Sequence, residues 1–391
     1  MAIENWVSRH LEDLIEVRHD LHRNPELLYD VEQTSDRVAK ALTEAGVDEV
    51  VRGLGRTGVV GVIRGNRDTS GRIIGLRADM DALPIVEATD APWASTKPGM
   101  MHACGHDGHT TMLLGAARHL AESRAFDGTV IVIFQPAEEG GAGAKAMIDD
   151  GLLKQFPLQE VYGMHNKPGL PLGQFAIAAG PIMGSVDEIR IRVEGEGGHA
   201  ALPHNTVDPM TVTAAIIQAV QSIVSRNIDP LKSAVISLTT IHGGDAFNVI
   251  PSVIKLTGTV RTLDPSVCDQ VEVRLRKTVE NVAQAFDAKA EIDYIRMYPV
   301  TINDADKVAL AADAAAAVAG DANVDRNLPA SMGGEDFAFM LEQVPGAMIF
   351  AGNGPSAELH HPKYDFNDDL IPWGCSYWTT LVRQRLGSAA A

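Results

Sequence analysis

Residues 101–109 read M-H-A-C-G-H-D-G-H and place a thiol and an imidazole two positions apart in a segment without hydrophobic periodicity. With one glycine between them, the side chains of Cys104 and His106 can turn toward the same point in a loop. Thiolate and imidazole are ligands of divalent transition metals. A lone buried cysteine is otherwise a small hydrophobic residue, and His102 and His109 compete for the imidazole role. For His109, at the start of a predicted helix, we favour a supporting or capping role.

Three further segments carry metal-type side chains. They are Glu139 in Q-P-A-E-E-G, His165 in G-M-H-N and His360 in L-H-H-P. Five protein donors exceed what one open catalytic zinc takes, and they suit two close metals. His361 competes with His360, but the following proline restricts His361 to extended backbone, which favours His360.

A second carboxylate, Glu138, directly precedes Glu139. Adjacent side chains point in different directions, so one glutamate can bind metal while the other faces a water molecule and accepts its proton. This pair is equipment for hydrolysis, with Glu138 as the base. Two acids at the N-terminus of a helix, where the macrodipole favours negative charge, are the alternative interpretation.

Short, β-branched apolar runs bounded by turn residues predict the buried strands of a mixed or parallel sheet. The predicted strands are 58–64, 72–77, 129–135, 160–164 and 347–351, and the predicted helices are 3–24, 32–44, 108–123 and 143–151. The metal-type residues follow these strands, as do Asp79 and Asp81. In open α/β sheets, sites assemble at the carboxyl ends of the strands. We therefore predict an α/β catalytic domain with a metal site at that edge.

The segment 186–296 has a different pattern, β-α-β-β-α-β, which is the ferredoxin-like order. Its predicted strands are 188–193, 234–241, 253–262 and 290–296, and its predicted helices are 207–226 and 266–286. We predict an inserted domain at 186–296 within a discontinuous catalytic domain of residues 1–185 and 297–391.

Three polar residues stand out in this insert. His199 lies in the glycine-rich stretch 195–201, for which a flexible hairpin or loop is the alternative interpretation. A phosphate cradle would need a following Lys-Ser/Thr, and none is present. Asn248 and Arg261 are isolated polar residues. An arginine at a strand end clamps a carboxylate if it is buried and is a solvated charge otherwise.

The 391 residues carry a net charge of -18, which argues against nucleic acid or an anionic membrane surface as a partner. Three cysteines do not suggest a disulfide framework, so a reducing cytoplasm is expected. The opening M-A-I-E-N-W-V-S-R-H-L-E lacks the basic and apolar regions of a signal peptide, and no apolar run is long enough to span a membrane.

Nine motifs occur in register from about Arg18 to Asp369. They are R-H-D-L-H-R-N-P-E-L, L-R-A-D-M-D-A-L-P, M-H-A-C-G-H-D-G-H, F-Q-P-A-E-E-G-G-A-G-A, G-G-H-A-A-L-P, N-V-I-P, G-T-V-R-T, M-G-G-E-D-F and L-H-H-P-K-Y-D-F-N-D. With them the chain resembles the hippurate hydrolase and N-acyl-amino-acid amidohydrolase family, which includes plant indole-acetyl-amino-acid hydrolases and bacterial carboxypeptidases. That family belongs to the aminoacylase-type dimetal hydrolases.

The resemblance implies roles for the residues that match its motifs. Two divalent ions per subunit, zinc, manganese, cobalt or nickel, would be held by Cys104, His106, Glu139, His165 and His360. Glu138 would be the general base. The insert would be a lid that also dimerises, so that His199 of one subunit helps to bind the oxyanion in its partner, in a homodimer or dimer-based tetramer. Asn248 and Arg261 would engage the substrate carboxylate or carbonyl.

The function implied is metal-dependent hydrolysis of small N-acyl amino acids, acetylated, benzoylated or otherwise acylated, to a carboxylic acid and a free amino acid. A metal-activated water would attack the amide carbonyl, with the glutamate base taking its proton. A carboxypeptidase or dipeptidase with the same machinery is the first alternative. A non-catalytic binding protein on a retired hydrolase fold is the second.

Overall fold

The structure is a computed structural model that describes residues 3–387; the ends of the predicted catalytic domain, residues 1–2 and 388–391, lie outside the described residues. The helices are α1 (Asn5–Arg9), α2 (Leu11–Arg23), α3 (Glu32–Glu44), α4 (His106–Ser123), α5 (Gly143–Asp149), α6 (Leu152–Gln155), α7 (Pro209–Asn227), α8 (Pro265–Ala285), α9 (Ala305–Ala319), α10 (Ala338–Leu341) and α11 (Ile371–Leu386). Short 3₁₀ helices occur at Pro203–Asn205, Asp321–Asn323 and Asp368–Leu370.

The strands in chain order are β1 (Glu49–Leu54), β2 (Gly58–Arg64), β3 (Ile73–Asp79), β4 (Thr129–Gln135), β5 (Glu160–Pro168), β6 (Phe175–Ala176), β7 (Gly180–Met183), β8 (Val186–Glu194), β9 (Gly198–His199), β10 (Ala234–His242), β11 (Val249–Ile250), β12 (Val253–Thr262), β13 (Lys289–Tyr298), β14 (Thr301–Asn303), β15 (Val324–Asp325) and β16 (Gly346–Gly354). Among residues 3–387, no helix is long and apolar enough to cross a membrane.

The chain forms two compact units. The larger takes the chain up to Gly180, then Ile302–Pro329 and the part from Asp336 onward. The smaller takes Pro181–Thr301 and Ala330–Glu335. The smaller unit thus extends beyond the predicted insert 186–296 at both ends and gains a second short segment. That segment pairs with the first residues of the unit, because Ser331 donates its N–H to the carbonyl of Ile182 at 3.0 Å and Gly184 donates to the carbonyl of Gly333 at 2.8 Å.

The larger unit is built on an eight-stranded mixed sheet in the order β1-β2-β4-β3-β5-β16-β6-β15. The four central strands β4, β3, β5 and β16 run parallel, whereas β1 and β2 join the sheet antiparallel. Runs such as G-V-V-G-V-I in β2 and V-I-V-I-F-Q in β4 are buried throughout, as strands covered on both faces must be. This confirms the predicted α/β mixed-sheet fold.

Parallel pairing brings the ends of these strands to one edge. Asp79, the last residue of β3, lies opposite Gln135, the last residue of β4. On the other side of the sheet, His165 of β5 lies opposite Phe350 of β16. The residues that follow or end these strands therefore share one edge of the sheet.

The smaller unit contains a four-stranded antiparallel sheet in the order β10-β12-β8-β13, on which α7 and α8 pack. The chain order is β-α-β-β-α-β, as predicted. Both helices begin at an Asp-Pro step: Asp208 and Asp264 accept the N–H groups of Met210 and Ser266, and proline occupies the first helical position. The helix α8 buries Val267, Val271, Leu275, Val279 and Ala283 at a spacing of four residues.

The predicted first helix, 3–24, is wrong in one respect. It is divided into α1 and α2 at His10, whose φ of -112° and ψ of 10° depart from helical values. The apolar periodicity continues across this break, because Trp6 and Val7 are buried on one side of it and Leu14 on the other. The hydrophobic pattern therefore did not reveal the break at His10.

Candidate metal centre

The structure brings the five predicted metal ligands together in the larger unit. They form overlapping groups in which all ligand atoms lie within 4.8 Å of one another: Cys104, His106 and His165; Cys104, Glu139 and His360; and His106, Glu138 and Glu139. These residues come from four separate parts of the sequence. Their convergence is a property of the fold that no single motif contains.

The side chains of Cys104 and His165 lie next to each other in the metal centre. The Sγ atom lies 3.4 Å from Nε2 of His165, and Nδ1 of the same ring donates to the carbonyl of Asn166 at 2.7 Å. That bond fixes the tautomer and leaves the Nε2 lone pair directed toward the thiol, as in metal-bound histidines. Burial, together with the imidazole of His109, holds the pKa of His165 well below its usual value, so the ring is neutral.

His106 has one ring nitrogen satisfied and one directed into the centre. Its Nδ1 donates to the carbonyl of Asp81 at 2.8 Å, whereas Nε2 is buried and makes no hydrogen bond within the described part of the chain. This Nε2 lies 4.0 Å from a carboxylate oxygen of each of Glu138 and Glu139. A buried nitrogen without a partner is costly, and a cation between it and the carboxylates would remove that cost.

The charges of the centre also fit cations. Burial lowers the pKa of His106, but the surrounding carboxylates, Asp79 first among them, raise it to about 10. Burial and the negative charges of Glu139 and Glu138 hold the pKa of the Cys104 thiol well above its usual value. Without a metal cation, protons held by His106 and Cys104 must balance the negative charge of the carboxylates. Sulfur, nitrogen and oxygen donors in one buried cluster suit divalent transition metals.

The loop that carries the two glutamates is conformationally strained. Ala137 and Ala142, on either side of the two glutamates, have φ values of 55° and 56°, in the left-handed region that alanine avoids. The carboxylate of Asp81 holds the loop from below, because it accepts the N–H of Glu138 at 3.0 Å and that of Glu139 at 3.1 Å. Strain maintained by such contacts is a mark of functional sites.

His360 approaches the centre from the C-terminal part of the chain. It too has a positive φ, 64°, and its N–H donates to the carbonyl of Ala103 at 2.8 Å. Its Nε2 lies 3.2 Å from Oε1 of Glu139, and its side chain is 53% exposed. The competitor His361 is outside every ligand group of residues 3–387, and its Nδ1 accepts the N–H of Lys363.

Two residues lie beside the predicted ligands: Asp79, to which the sequence assigned no role, and His109, for which it favoured a supporting or capping role. Asp79 was noted only for its place after a strand, yet its Oδ1 lies 2.7 Å from Nδ1 of His109, and both belong to a ligand group with His106. Nε2 of His109 accepts the N–H of Asn166 at 3.0 Å. His109 therefore uses both ring nitrogens inside the protein. It does not cap α4, which begins at His106.

The predicted substrate residues lie in the smaller unit. His199 and Val249 are paired residues of the short β9–β11 sheet, and the carbonyl of Asn248 accepts the N–H of Ala200 at 3.1 Å. The side chains of His199 and Asn248 are exposed. Arg261, on β12, is half-buried, and its Nη1 donates to the carbonyl of Val260 at 3.0 Å.

A mixed α/β sheet with thiol, imidazole and carboxylate donors at the ends of its strands, and a further carboxylate beside them, defines a metal-dependent hydrolase. The chain belongs to peptidase family M20/M25/M40, whose family model matches residues 75–384. It is a hydrolase of amide bonds.

Relatives are similar over nearly the whole chain. A hippurate hydrolase of Campylobacter jejuni is 43% identical over 371 residues, which are 95% of this chain and 96% of the relative. An N-acetylcysteine deacetylase of Bacillus subtilis is 39% identical, over 94% and 96% of the two chains. The crystal structure of the Bacillus subtilis YXEP protein, a dinuclear metal-binding peptidase of the M20 family, superimposes with a TM-score of 0.85 at 34% identity and covers 97% of this chain and 99% of that one.

Proposed function

We propose that this enzyme hydrolyses N-acyl amino acids, releasing a carboxylic acid and a free amino acid. The observation that carries the proposal is the convergence of Cys104, His106, Glu139, His165 and His360, with Glu138 beside them. The hippurate hydrolase and the N-acetylcysteine deacetylase, named for acylated amino acids, support this substrate class. The family assignment favours an enzyme over a non-catalytic binding protein.

The same five residues are proposed to hold two divalent ions. The M20 relative with a dinuclear metal site and the overlapping ligand groups support this number. When bound, such ions polarise a carbonyl and lower the pKa of a coordinated water. Zinc, manganese, cobalt and nickel all accept a mixed sulfur, nitrogen and oxygen donor set.

Glu138 is proposed as the general base. Its N–H is fixed by Asp81, and a carboxylate oxygen lies 4.0 Å from the unsatisfied Nε2 of His106. From this place the carboxylate takes a proton from the attacking water and delivers it to the nitrogen of the leaving amino acid. Glu139, whose Oε1 lies 3.2 Å from His360, serves as a ligand instead.

The smaller unit is proposed to act as a lid and as a dimerisation domain. His199 would stabilise the oxyanion, and Asn248 and Arg261 would hold the substrate carboxylate or carbonyl, since a guanidinium matches a carboxylate in bidentate geometry. In this proposal His199 acts in the partner subunit of a homodimer or dimer-based tetramer. Its exposed side chain on the short β9–β11 sheet supports such a role. We further propose that the enzyme works in the cytoplasm, where its three free cysteines stay reduced.

A substrate panel on metal-reconstituted protein tests the function. N-acetyl and N-benzoyl amino acids are compared with dipeptides that carry a free amino group, and Glu138→Gln serves as the matched inactive control. We expect the acylated amino acids to give the higher kcat/KM. Turnover confined to dipeptides would support the peptidase alternative, and no turnover of either class at full metal content would contradict the proposal.

A further inference from the structure

Arg77 is a buried residue behind the metal centre, and its guanidinium donates hydrogen bonds to three other side chains. Its Nε donates to Oε1 of Gln135 at 2.8 Å, its Nη1 to Oδ2 of Asp79 at 2.7 Å and its Nη2 to Oδ1 of Asp336 at 3.0 Å. All four side chains are buried. The guanidinium therefore connects the ends of β3 and β4 to Asp336, the first residue of the last segment of the larger unit.

From Arg77 one path of hydrogen bonds leads to His165. Asp79, held by Arg77, accepts from Nδ1 of His109, whose Nε2 accepts the N–H of Asn166. The carbonyl of Asn166 in turn accepts from Nδ1 of His165. The direction of the His165 lone pair is thus set through three intervening residues.

A second path leads from Asp336 to the loop that carries the glutamates. Oδ2 of Asp336 accepts from Nε2 of Gln135 at 2.9 Å and from the N–H of Ala144 at 2.9 Å. Gln135 immediately precedes the strained loop 136–142, on which Glu138 and Glu139 lie, and Ala144 is the second residue of α5, which follows the loop. One carboxylate therefore ties down both ends of this loop.

We propose that Asp336, in the motif M-G-G-E-D-F, is a positioning residue of the metal centre. Acting through Arg77, it fixes the loop of Glu138 relative to His165 and so sets the distances between the metal ligands. This inference rests on the metal site proposed above. Partners of this kind, behind the ligands, change metal affinity or activity by roughly 10–100-fold when they are replaced.

The site of Asp336 requires a carboxylate. Arg77, Gln135 and Ala144 all present donors to its two oxygens. In Asp336→Asn the new NH₂ group would face a donor in either orientation of the amide, and the buried guanidinium of Arg77 would lose the counter-charge of Asp336. Because unsatisfied buried groups are costly, the loop must shift.

A matched control lies at the opposite end of the same sheet. Glu160, the first residue of β5, is also buried and also surrounded by donors: Arg72, Arg385 and the hydroxyl of Tyr162. Glu160→Gln is likewise isosteric and removes one buried charge. Both substitutions should lower stability, but only one of the two sites is connected to the metal ligands.

The experiment compares the two variants with the wild type at a temperature well below both unfolding midpoints. Metal affinity is measured by competition with a chelator. The ligand field is followed in the visible spectrum of the cobalt(II)-loaded protein. Steady-state kinetics give kcat and KM as separate values. We expect Asp336→Asn to lose about 10–100-fold in metal affinity or kcat, with an altered cobalt spectrum and KM within about threefold. Glu160→Gln should match the wild type in every site readout.

If folded Asp336→Asn has the metal affinity, cobalt spectrum and kcat of the wild type, the proposal is overturned. It is also overturned if Glu160→Gln loses metal affinity or kcat to the same extent as Asp336→Asn. If Asp336→Asn does not fold, Gln135→Met tests the same path, because methionine keeps the volume while it removes the contacts to Arg77 and Asp336. It should then change the cobalt spectrum, and an unchanged spectrum would count against the proposal. A wild type that binds no metal would instead refute the proposed function.

Discussion

The carboxylate of Asp81 lies directly beneath Glu138, with Oδ1 3.0 Å from the backbone nitrogen of that residue. The other oxygen, Oδ2, holds the N–H of Glu139 at 3.1 Å. The side chain of Asp81 therefore positions both the proposed base and a proposed metal ligand, although Asp81 itself is neither a base nor a ligand in this proposal.

Replacing Asp81 should impair catalysis without direct loss of a ligand. In Asp81→Asn only one oxygen remains to accept the two N–H groups, so one glutamate loses its anchor. We expect kcat to fall by about 10–100-fold, measured with saturating metal. Asp149→Asn, which breaks an exposed pair with Lys145, is the control and should keep wild-type kcat. Equal activity of the two variants would refute the positioning role.

Glu138 and Glu139 should respond differently to the same substitution. Glu138→Gln removes the base and should lower kcat by at least ~10²-fold, while metal content stays near that of the wild type. Glu139→Gln removes a charged ligand and should lower the metal content. Elemental analysis after gel filtration separates the two effects. Loss of metal from Glu138→Gln with retention in Glu139→Gln would show that the roles are reversed.

Mixing two inactive variants tests whether His199 acts in the partner subunit. Glu138→Gln and His199→Ala are combined under conditions that exchange subunits. If His199 acts across the interface, each mixed dimer has one site with both defects and one intact site, so activity should recover to about a quarter of wild type. If it acts within its own subunit, the mixture stays inactive. No recovery despite demonstrated exchange would exclude the trans arrangement.

Glu160 should make stability depend on acid pH. Although burial opposes ionisation, hydrogen bonds from Arg385 and Tyr162 lower the pKa of Glu160 from 4.5 to about 2. A depressed folded-state pKa contributes stability that is complete above the unfolded pKa and is lost as pH falls toward 2. Glu160→Gln should therefore cost about 3 kcal/mol at pH 7 and progressively less between pH 4.5 and 2.

Denaturant unfolding at pH 7 and pH 3 measures this effect. The gap between the midpoints of the wild type and Glu160→Gln should narrow at pH 3. Asp36→Asn, which removes an exposed partner of Arg52, should give little difference at either pH. A gap that stays constant with pH would contradict the assigned pKa of Glu160.

Much of the fold follows from local sequence patterns. The strands β2 and β4 coincide with predicted strands, because β-branched runs bounded by glycine or polar residues have few other ways to be buried. The edge strand β1 was missed, since E-V-V-R-G-L is partly exposed and lacks such a run. The strand β5 extends to Pro168, so His165 lies inside it and not at its end.

The donor residues of the metal centre were predictable from the sequence, but the residues that hold these donors in place were not. The spacing of Cys104 and His106 and the adjacency of Glu138 and Glu139 are visible in the chain. The contact of Asp79 with His109, and that of Arg77 with Asp336, join residues that are 30 and 259 positions apart. A buried arginine in a strand looks like any other arginine until the fold places carboxylates around it.

The central claim is that these five donors hold two metal ions. Anomalous diffraction from crystals of the metal-loaded enzyme, recorded at the absorption edge of the metal, tests it most directly. We predict two peaks per subunit about 3.5–4 Å apart, the spacing of two-metal hydrolytic sites, bounded by Cys104, His106, Glu139, His165 and His360. A single peak, or peaks outside this set of residues, would contradict the account.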